Sequence, residues 1–274
     1  DYENIEKITY GYIFCDDPNG RILKTDYGNI VTISESLKYF LYFMNLCFLT
    51  FNDIEVPNDV KHAALLIAIR TMLQTESLDF ELDPRGIIPD KLEKQLIEYT
   101  NLQLEFIVGH EFSHHFLNHL ENASIVEKSM FERDCEIYEK VYTYNQMQEF
   151  EADIDAIKRP IFSDEMRKNF VNRALFFFAY FEIYNSVKEQ IFPSGNRIKS
   201  HPEPMDRFNK IKQEFHSLFD KDELENIDNL LKFVDFYKIE LQEDVSINIE
   251  RYEFYGSIYL GSWRGKPLVD RVDY

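Results

Sequence analysis

The chain has 274 residues, of which 45% are hydrophobic and 15% aromatic, enough to bury a sizeable core in one large domain or two small ones. With 49 acidic against 30 basic side chains, the formal net charge is −19, which argues against a nucleic-acid partner, because binding to phosphates requires clustered Lys and Arg. The charge fits a basic segment of a protein substrate instead. Three cysteines, Cys15, Cys47 and Cys135, have no paired spacing, which predicts a reducing, cytoplasmic location and no thiolate zinc site.

The first 90 residues have the pattern of a scaffold. Strand-like runs at 8–14 and 29–33 flank a strong turn signal at 16–20, Asp-Asp-Pro-Asn-Gly. Helices are predicted over 34–51 and 58–73, and an acidic, proline-containing loop follows at 75–89.

No membrane span is expected. The most apolar stretch, 37–51, contains a lysine and is shorter than the roughly 20 residues that cross a bilayer. The N-terminus lacks the basic and apolar regions of a signal peptide, so none is predicted.

Residues 91–120 form a helix-length apolar segment that contains His110-Glu111-Phe112-Ser113-His114. At 3.6 residues per turn, His110 and His114 lie about 40° apart on one face, so both imidazoles can reach one metal ion. Glu111 borders that face, where a carboxylate can remove a proton from a metal-activated water molecule. The five residues predict a hydrolytic zinc site, although ordinary histidines on an amphipathic helix give the same pattern.

A second histidine pair lies in the same segment. His115 and His119 are also four residues apart, but Phe116 occupies the position at which the first pair has its carboxylate. The extended motif of metzincins requires Gly and His where this chain has Leu117 and Leu120. The first pair is therefore the preferred metal pair, and a metzincin site is disfavoured.

Residues 122–148 are less regular, although 137–144 have the β-branched and aromatic side chains of a strand. If this strand lies at a sheet edge, it can hold an extended peptide by β-augmentation.

An acidic segment follows, Gln148-Glu149-Phe150-Glu151-Ala152-Asp153, on a predicted helix. Glu149 and Asp153 are four residues apart and share a face. The simplest assignment makes Glu149 the third zinc ligand and Asp153 the acceptor that orients a ligand histidine, which leaves a fourth position for water. Glu151 and Asp153 remain alternatives for the third ligand, and so does a solvated acidic face without a metal.

The third segment is residues 200–207, Ser-His-Pro-Glu-Pro-Met-Asp-Arg. His201 precedes a helix opened by proline, where its side chain can lean into a cleft. There it can donate a hydrogen bond to the oxyanion of a tetrahedral intermediate, while Arg207 can pair with Glu149 or Asp153. An exposed histidine in a capping turn is the alternative.

The remaining segments are predicted to support the site. Residues 164–190 form an aromatic-rich core helix, residues 205–219 and 221–241 form amphipathic helices, and the glycine-punctuated residues 246–274 form a short sheet.

The expected fold class is α+β and mainly helical, a zincin-like helical core with small β-elements at the N- and C-termini. One domain is expected over residues 1–274, with scaffold in 1–90, the catalytic core in 91–219, and a C-terminal helix and small sheet in 220–274.

The order His-Glu-x-x-His, then Glu-x-x-x-Asp, then His-Pro with a downstream Arg resembles gluzincin metallopeptidases related to the CAAX prenyl proteases, and in particular the soluble bacterial phage-exclusion peptidases of the Lit type. The likeness covers roughly residues 105 to 215. It implies these roles: zinc ligands His110, His114 and Glu149, general base Glu111, outer support Asp153 and Arg207, and transition-state support His201.

The resemblance implies zinc-dependent cleavage of a protein or peptide substrate in a bacterial stress or phage-defence response. The sequence leaves open a regulatory partner or an additional domain. Two alternatives from other classes stand beside it. One is a non-catalytic, protease-like module that senses a partner, and the other is a zinc hydrolase of small amides.

Overall fold

The computed structural model describes residues 9–15, 19–51, 54–121, 123–129, 138–193 and 201–264. The strands are β1 (Thr9–Ile13), β2 (Gly20–Thr25), β3 (Gly28–Ser34), β4 (Ser124–Ser129) and β5 (Tyr138–Thr143). The helices are α1 (Glu35–Phe48), α2 (Asn58–Met72), α3 (Asp90–Phe116), α4 (Gln146–Lys158), α5 (Asp164–Ile191), α6 (Pro204–Glu214), α7 (Lys221–Ile247) and α8 (Glu250–Glu253). The fold is α+β and mainly helical, as predicted. Within the described part of the chain, no helix combines the length and apolarity needed to cross a bilayer.

The chain divides into two compact units. The first comprises Asp1–Glu35, Leu102–Glu182 and Gly195–Lys232, and the second comprises Ser36–Asn101, Ile183–Ser194 and Phe233–Tyr274. All seven predicted site residues belong to the first unit.

The first unit contains a five-stranded sheet in the order β1-β3-β2-β5-β4. Strand β1 runs parallel to β3, and the other neighbouring strands are antiparallel. Gly28 has φ 121°, which residues with a Cβ rarely adopt, and it closes the tight turn from β2 to β3. Ile22, Val31 and Ile33 are buried and form part of the core.

The strand predicted at 137–144 is β5, but the expectation that it is a sheet edge is wrong. Strand β5 lies between β2 and β4, paired with β2 at Leu23 and Val141, so both of its sides already have a neighbour. The edges of this sheet are β1 and β4. Ile137, the first residue of the predicted strand, lies outside the described residues.

Aromatic packing supports helix α3 in the first unit. The Phe106 ring meets Phe170, Phe177 and Phe178 of α5 edge-on, at centroid separations of 6.3, 6.0 and 5.8 Å. All four side chains are buried, and edge-to-face contacts stabilise such clusters beyond their burial. The predicted core helix at 164–190 therefore packs against the helix that carries His110 and His114.

In the second unit, a buried ionic network anchors the segment after α2. The Glu76 carboxylate accepts hydrogen bonds from Arg70 Nε at 2.8 Å, Arg85 Nε at 3.3 Å and the Ile258 amide at 2.8 Å. All three charged side chains are fully buried. The segment predicted as a loop at 75–89 is thus held in the second unit by the buried ion pairs and hydrogen bonds of Glu76 and Arg85.

Replacing Glu76 with alanine is expected to destabilise the second unit by about 3–5 kcal/mol, because Arg70 and Arg85 lose the buried carboxylate between them, although Arg85 keeps the partly exposed Asp79 and Asp83. Urea unfolding followed by Trp263 fluorescence measures this, since Trp263 is the only tryptophan and lies in the second unit. The control is Glu81→Ala, at an exposed position of the same segment, which should change the free energy of unfolding by less than about 0.5 kcal/mol. Equal midpoints for the two variants would contradict the anchoring role.

The sheet expected at 246–274 is absent from the described part of that segment, which ends at Arg264. Helix α7 runs on to Ile247, α8 follows, and one β-bridge joins Gly256 to Glu76. The side chains of Tyr252, Ile258 and Leu260 are each buried in the second unit, but these residues do not belong to β-strands. Residues 265–274 lie outside the described residues.

Candidate metal centre

Two helices of the first unit supply the predicted ligands. Helix α3 carries His110 and His114, and α4 carries Glu149. The start of α4 is defined by a capping box, in which Asn145 Oδ1 accepts from the Gln148 amide at 3.0 Å and Gln148 Oε1 accepts from the Asn145 amide at 3.0 Å. This cap sets the register of α4, so Glu149 lies in its first turn with the acidic side chain facing inward.

The three side chains meet in a buried triangle. His110 Nε2 lies 3.1 Å from His114 Nε2 and 3.4 Å from Glu149 Oε2, and His114 Nε2 lies 3.7 Å from Glu149 Oε1. Tetrahedral zinc with bonds of about 2.1 Å holds its ligand atoms about 3.4 Å apart. The spacing of the triangle therefore fits a small metal ion, and within the described ranges these three residues are a group that could hold one.

The oxygens of Glu149 give a second indication of fit. Both are buried, and neither makes a hydrogen bond of normal geometry to the described residues. Burial raises the pKa of Glu149, but His110, His201 and the Arg207 charge lower it more, so it lies well below the usual value. A buried carboxylate that stays ionised with unused lone pairs is suited to hold a cation.

His110 is oriented by a carboxylate. Its Nδ1 lies 2.9 Å from Asp153 Oδ1, and Arg207 donates to both oxygens of Asp153, from Nε at 2.7 Å and from Nη2 at 2.6 Å. Arg207 in turn lies 4.5 Å from the centroid of the Phe178 ring. With Nδ1 donating to Asp153, Nε2 of His110 points its lone pair at the triangle.

The same contacts shift the titration of these groups. Burial lowers the pKa of His110, but its hydrogen bond to Asp153 and the nearby carboxylate of Glu149 raise it more, to about 9. Burial raises the pKa of Asp153, but the charge of Arg207 and its hydrogen bonds lower it below the usual value. The pair is therefore charged near neutral pH, and a metal ion bound at His110 would displace a proton.

Glu111 lies beside the triangle and is 6% exposed. Burial, together with the nearby charge of Glu149, raises the pKa of its carboxyl group to about 7, although the charge of His110 opposes the shift. A carboxyl group that titrates near neutrality can both accept and return a proton. This is the property that the sequence-based assignment of Glu111 as general base requires.

His201 reaches the triangle from the segment before α6, whose first residue is Pro204, as the predicted proline-opened helix requires. Its Nδ1 lies 3.1 Å from Glu149 Oε1, and 45% of its side chain is exposed. His201 therefore borders the candidate metal centre on a side open to solvent. Ser200 of the same motif lies outside the described residues.

The alternatives for the third ligand occupy other positions. Asp153 is engaged by Arg207 and His110, and Glu151 is 58% exposed with Oε2 3.2 Å from His119 Nε2. Glu149 is the acid that joins the two histidines.

The second histidine pair does not face a common point. His119 Nδ1 lies 3.0 Å from His114 Nδ1, whereas His115 packs against the Phe116 ring. The sequence suggests His119 only as a possible metal ligand and Tyr144 only as the last residue of a strand. The Tyr144 ring stacks on His114 at 3.5 Å and 10°. The sequence signal for this contact with His114 is the fourth histidine of the segment, His119, five residues after it.

Compared with family models, curated proteins and solved structures, the chain gives no match. The described residues define a class of site, a buried His-His-Glu cluster able to hold a metal ion, with a carboxylic acid beside it.

Gly20, the first residue of β2, lies where the sheet meets α3. A Cβ at this position would clash with Ile107 Cγ2 and lie 3.9 Å from Glu111 Oε1. Ile107 is β-branched and has one preferred rotamer in a helix, so its side chain cannot easily move away from the added Cβ. Gly20→Ala is expected to destabilise the protein by about 1–3 kcal/mol, measured by urea unfolding with circular dichroism.

Gly11→Ala is the matched control for that substitution. Gly11 lies in β1 of the same sheet, and nothing comes within 4 Å of an added Cβ. The control should be neutral or stabilising by up to about 1 kcal/mol. Destabilisation of the two variants to the same degree would rule out close packing at Gly20 as the cause.

Proposed function

We propose that this protein is a zinc-dependent endopeptidase of the gluzincin type. The observation that carries the proposal is the triangle of His110 Nε2, His114 Nε2 and a Glu149 oxygen, with edges of 3.1 to 3.7 Å and buried Glu111 beside it. Two imidazoles and one carboxylate are a donor set typical of catalytic zinc, which keeps its fourth position for water or substrate.

When bound, zinc would polarise a peptide carbonyl and acidify a water molecule. Glu111 would take the proton of the attacking water and pass it to the leaving amine, a role that the pKa of about 7 supports. His201, half-exposed beside Glu149, would donate a hydrogen bond to the oxygen that gains negative charge. Asp153 and Arg207 would keep His110 in the correct orientation for the metal.

The half-exposed His201 leaves one side of the centre open to solvent, which would admit a segment of a protein or peptide substrate. The net charge of −19 favours a basic or neutral segment of such a substrate. The resemblance to Lit-type peptidases supports a role in a bacterial stress or phage-defence response, in the cytoplasm.

The test is to map new protein termini by mass spectrometry. Zinc-loaded wild type and Glu111→Gln are each incubated with a peptide library prepared from a bacterial proteome, and the same pair is expressed in cells. Termini that arise with wild type alone support the proposal. If zinc-loaded wild type cleaves no peptide, the endopeptidase proposal is wrong. Turnover of small amides by that protein would then indicate a small-amide hydrolase, and no turnover would indicate a non-catalytic sensor.

A further inference from the structure

The outer nitrogen of His114 faces a second buried histidine. His114 Nδ1 lies 3.0 Å from His119 Nδ1, and both residues are buried. A neutral imidazole that binds a metal through Nε2 carries its proton on Nδ1, and that proton needs an acceptor. The nearby nitrogen of His119 can be this acceptor only if it carries no proton itself.

A carboxylate selects the required form of His119. Its Nε2 lies 3.2 Å from Glu151 Oε2, so the proton of His119 is held at Nε2 and Nδ1 is left as an acceptor. His114 then donates a hydrogen bond to His119, and His119 donates one to Glu151. Each hydrogen bond along this path leaves the Nε2 lone pair of His114 directed at the triangle.

The two ligand histidines thus have different supports. His110 donates directly to a buried carboxylate, Asp153, whereas His114 reaches a surface carboxylate through one intervening imidazole. The ring of Tyr144 stacks on His114, parallel to it within 10°, and so fixes the plane of the His114 imidazole. His114 makes its contact with His119 in that plane.

The local backbone explains how His119 comes to lie there. Helix α3 ends at Phe116, and Asn118 adopts a left-handed conformation with φ 58°. Asn tolerates this conformation better than most residues and often ends helices in this way. The chain therefore turns back, and His119, at the start of a short 3-10 segment, lies beside His114 instead of one turn further along the helix.

We infer that His119, oriented by Glu151, is a positioning residue that holds His114 in the form and orientation required for metal binding. This inference rests on the metal centre in the proposed function. It does not depend on whether the bound metal hydrolyses peptides.

The experiment measures metal binding by three variants of the full chain. Zinc affinity is determined by competition with a chromophoric chelator, and the visible spectrum of the cobalt(II) form reports ligand geometry. His119→Leu removes the acceptor and keeps an apolar side chain. His119→Asn keeps an acceptor, because Oδ1 of asparagine lies near the position of Nδ1. Glu151→Leu changes an exposed side chain and does not threaten folding.

For His119→Leu, we expect the zinc dissociation constant to rise about 10- to 100-fold and the cobalt spectrum to change. His119→Asn should recover most of the affinity, and Glu151→Leu should weaken binding less than His119→Leu does. Urea midpoints of the metal-free proteins should show that these differences are not losses of fold.

Unchanged zinc affinity in His119→Leu, or an equal loss in His119→Asn, would overturn the inference while leaving the metal centre intact. If wild type binds no metal, both the inference and the proposed function fail. If wild type binds zinc with the expected dependence on His119 but cleaves no peptide, the proposed function alone fails.

Discussion

Glu111→Gln is expected to lower the rate of peptide hydrolysis by about 100- to 10,000-fold while zinc remains bound. Glutamine has nearly the same size and keeps a hydrogen-bonding oxygen, but it cannot take a proton from water at neutral pH. Because Glu111 is not one of the three residues of the triangle, the metal content should not change. Hydrolysis rate and zinc stoichiometry by elemental analysis are measured on the same preparation.

Glu105→Gln is the matched control for the general base. Glu105 lies on α3 as well, but its side chain is exposed, so the same chemical change occurs away from the site. This control should hydrolyse peptides at the wild-type rate. Full activity of Glu111→Gln would refute the assignment of Glu111 as general base, and loss of zinc from that variant would show that Glu111 acts on the metal instead.

His114→Ala is expected to abolish stable zinc binding. The substitution removes one of three donors and leaves Glu149 with a single imidazole partner in the triangle. Loss of a residue that only supports a ligand lowers metal affinity about 10- to 100-fold. The zinc affinity of His114→Ala should fall further, because the substitution removes a ligand itself. Zinc stoichiometry after dialysis should drop from near one to near zero, and His110→Ala should behave in the same way.

His216→Ala serves as the control for histidine removal, since His216 is exposed and belongs to the same unit. It should retain zinc as wild type does. Equal zinc content in His114→Ala and His216→Ala would show that the metal, if present, is bound elsewhere.

The segments that carry the candidate ligands could be predicted because their structure depends on residues close to one another in the sequence. A spacing of four residues puts His110 and His114 on one face of any helix, and the same spacing relates Glu149 to Asp153. Asn145 and Gln148 form the cap that starts α4, and such caps depend on a few neighbouring residues. Helix α2 was likewise predicted to within one residue, at Asn58–Met72.

Predictions failed where long-range pairing decides the structure. Strand β5 has the composition of a strand, but composition cannot tell that β2, more than 100 residues earlier, pairs with it and removes an edge. At the C-terminus, aromatic and β-branched residues suggested a sheet. In the described part, Tyr252 and Leu260 are instead buried as separate contacts of a helical unit.

The motif His110-Glu111-x-x-His114, determined by the sequence alone, predicts two ligands and a neighbouring carboxylic acid, because helix geometry is the same in every protein. The sequence favoured Glu149 but left Glu151 and Asp153 as alternatives, and tertiary structure decided among these three carboxylates, because they differ in what they face. It also decided that His119 supports His114, because this contact depends on the left-handed turn at Asn118 and on Glu151 from another helix. Side chains from separate segments meet only where packing brings the segments together, and no local pattern encodes that approach.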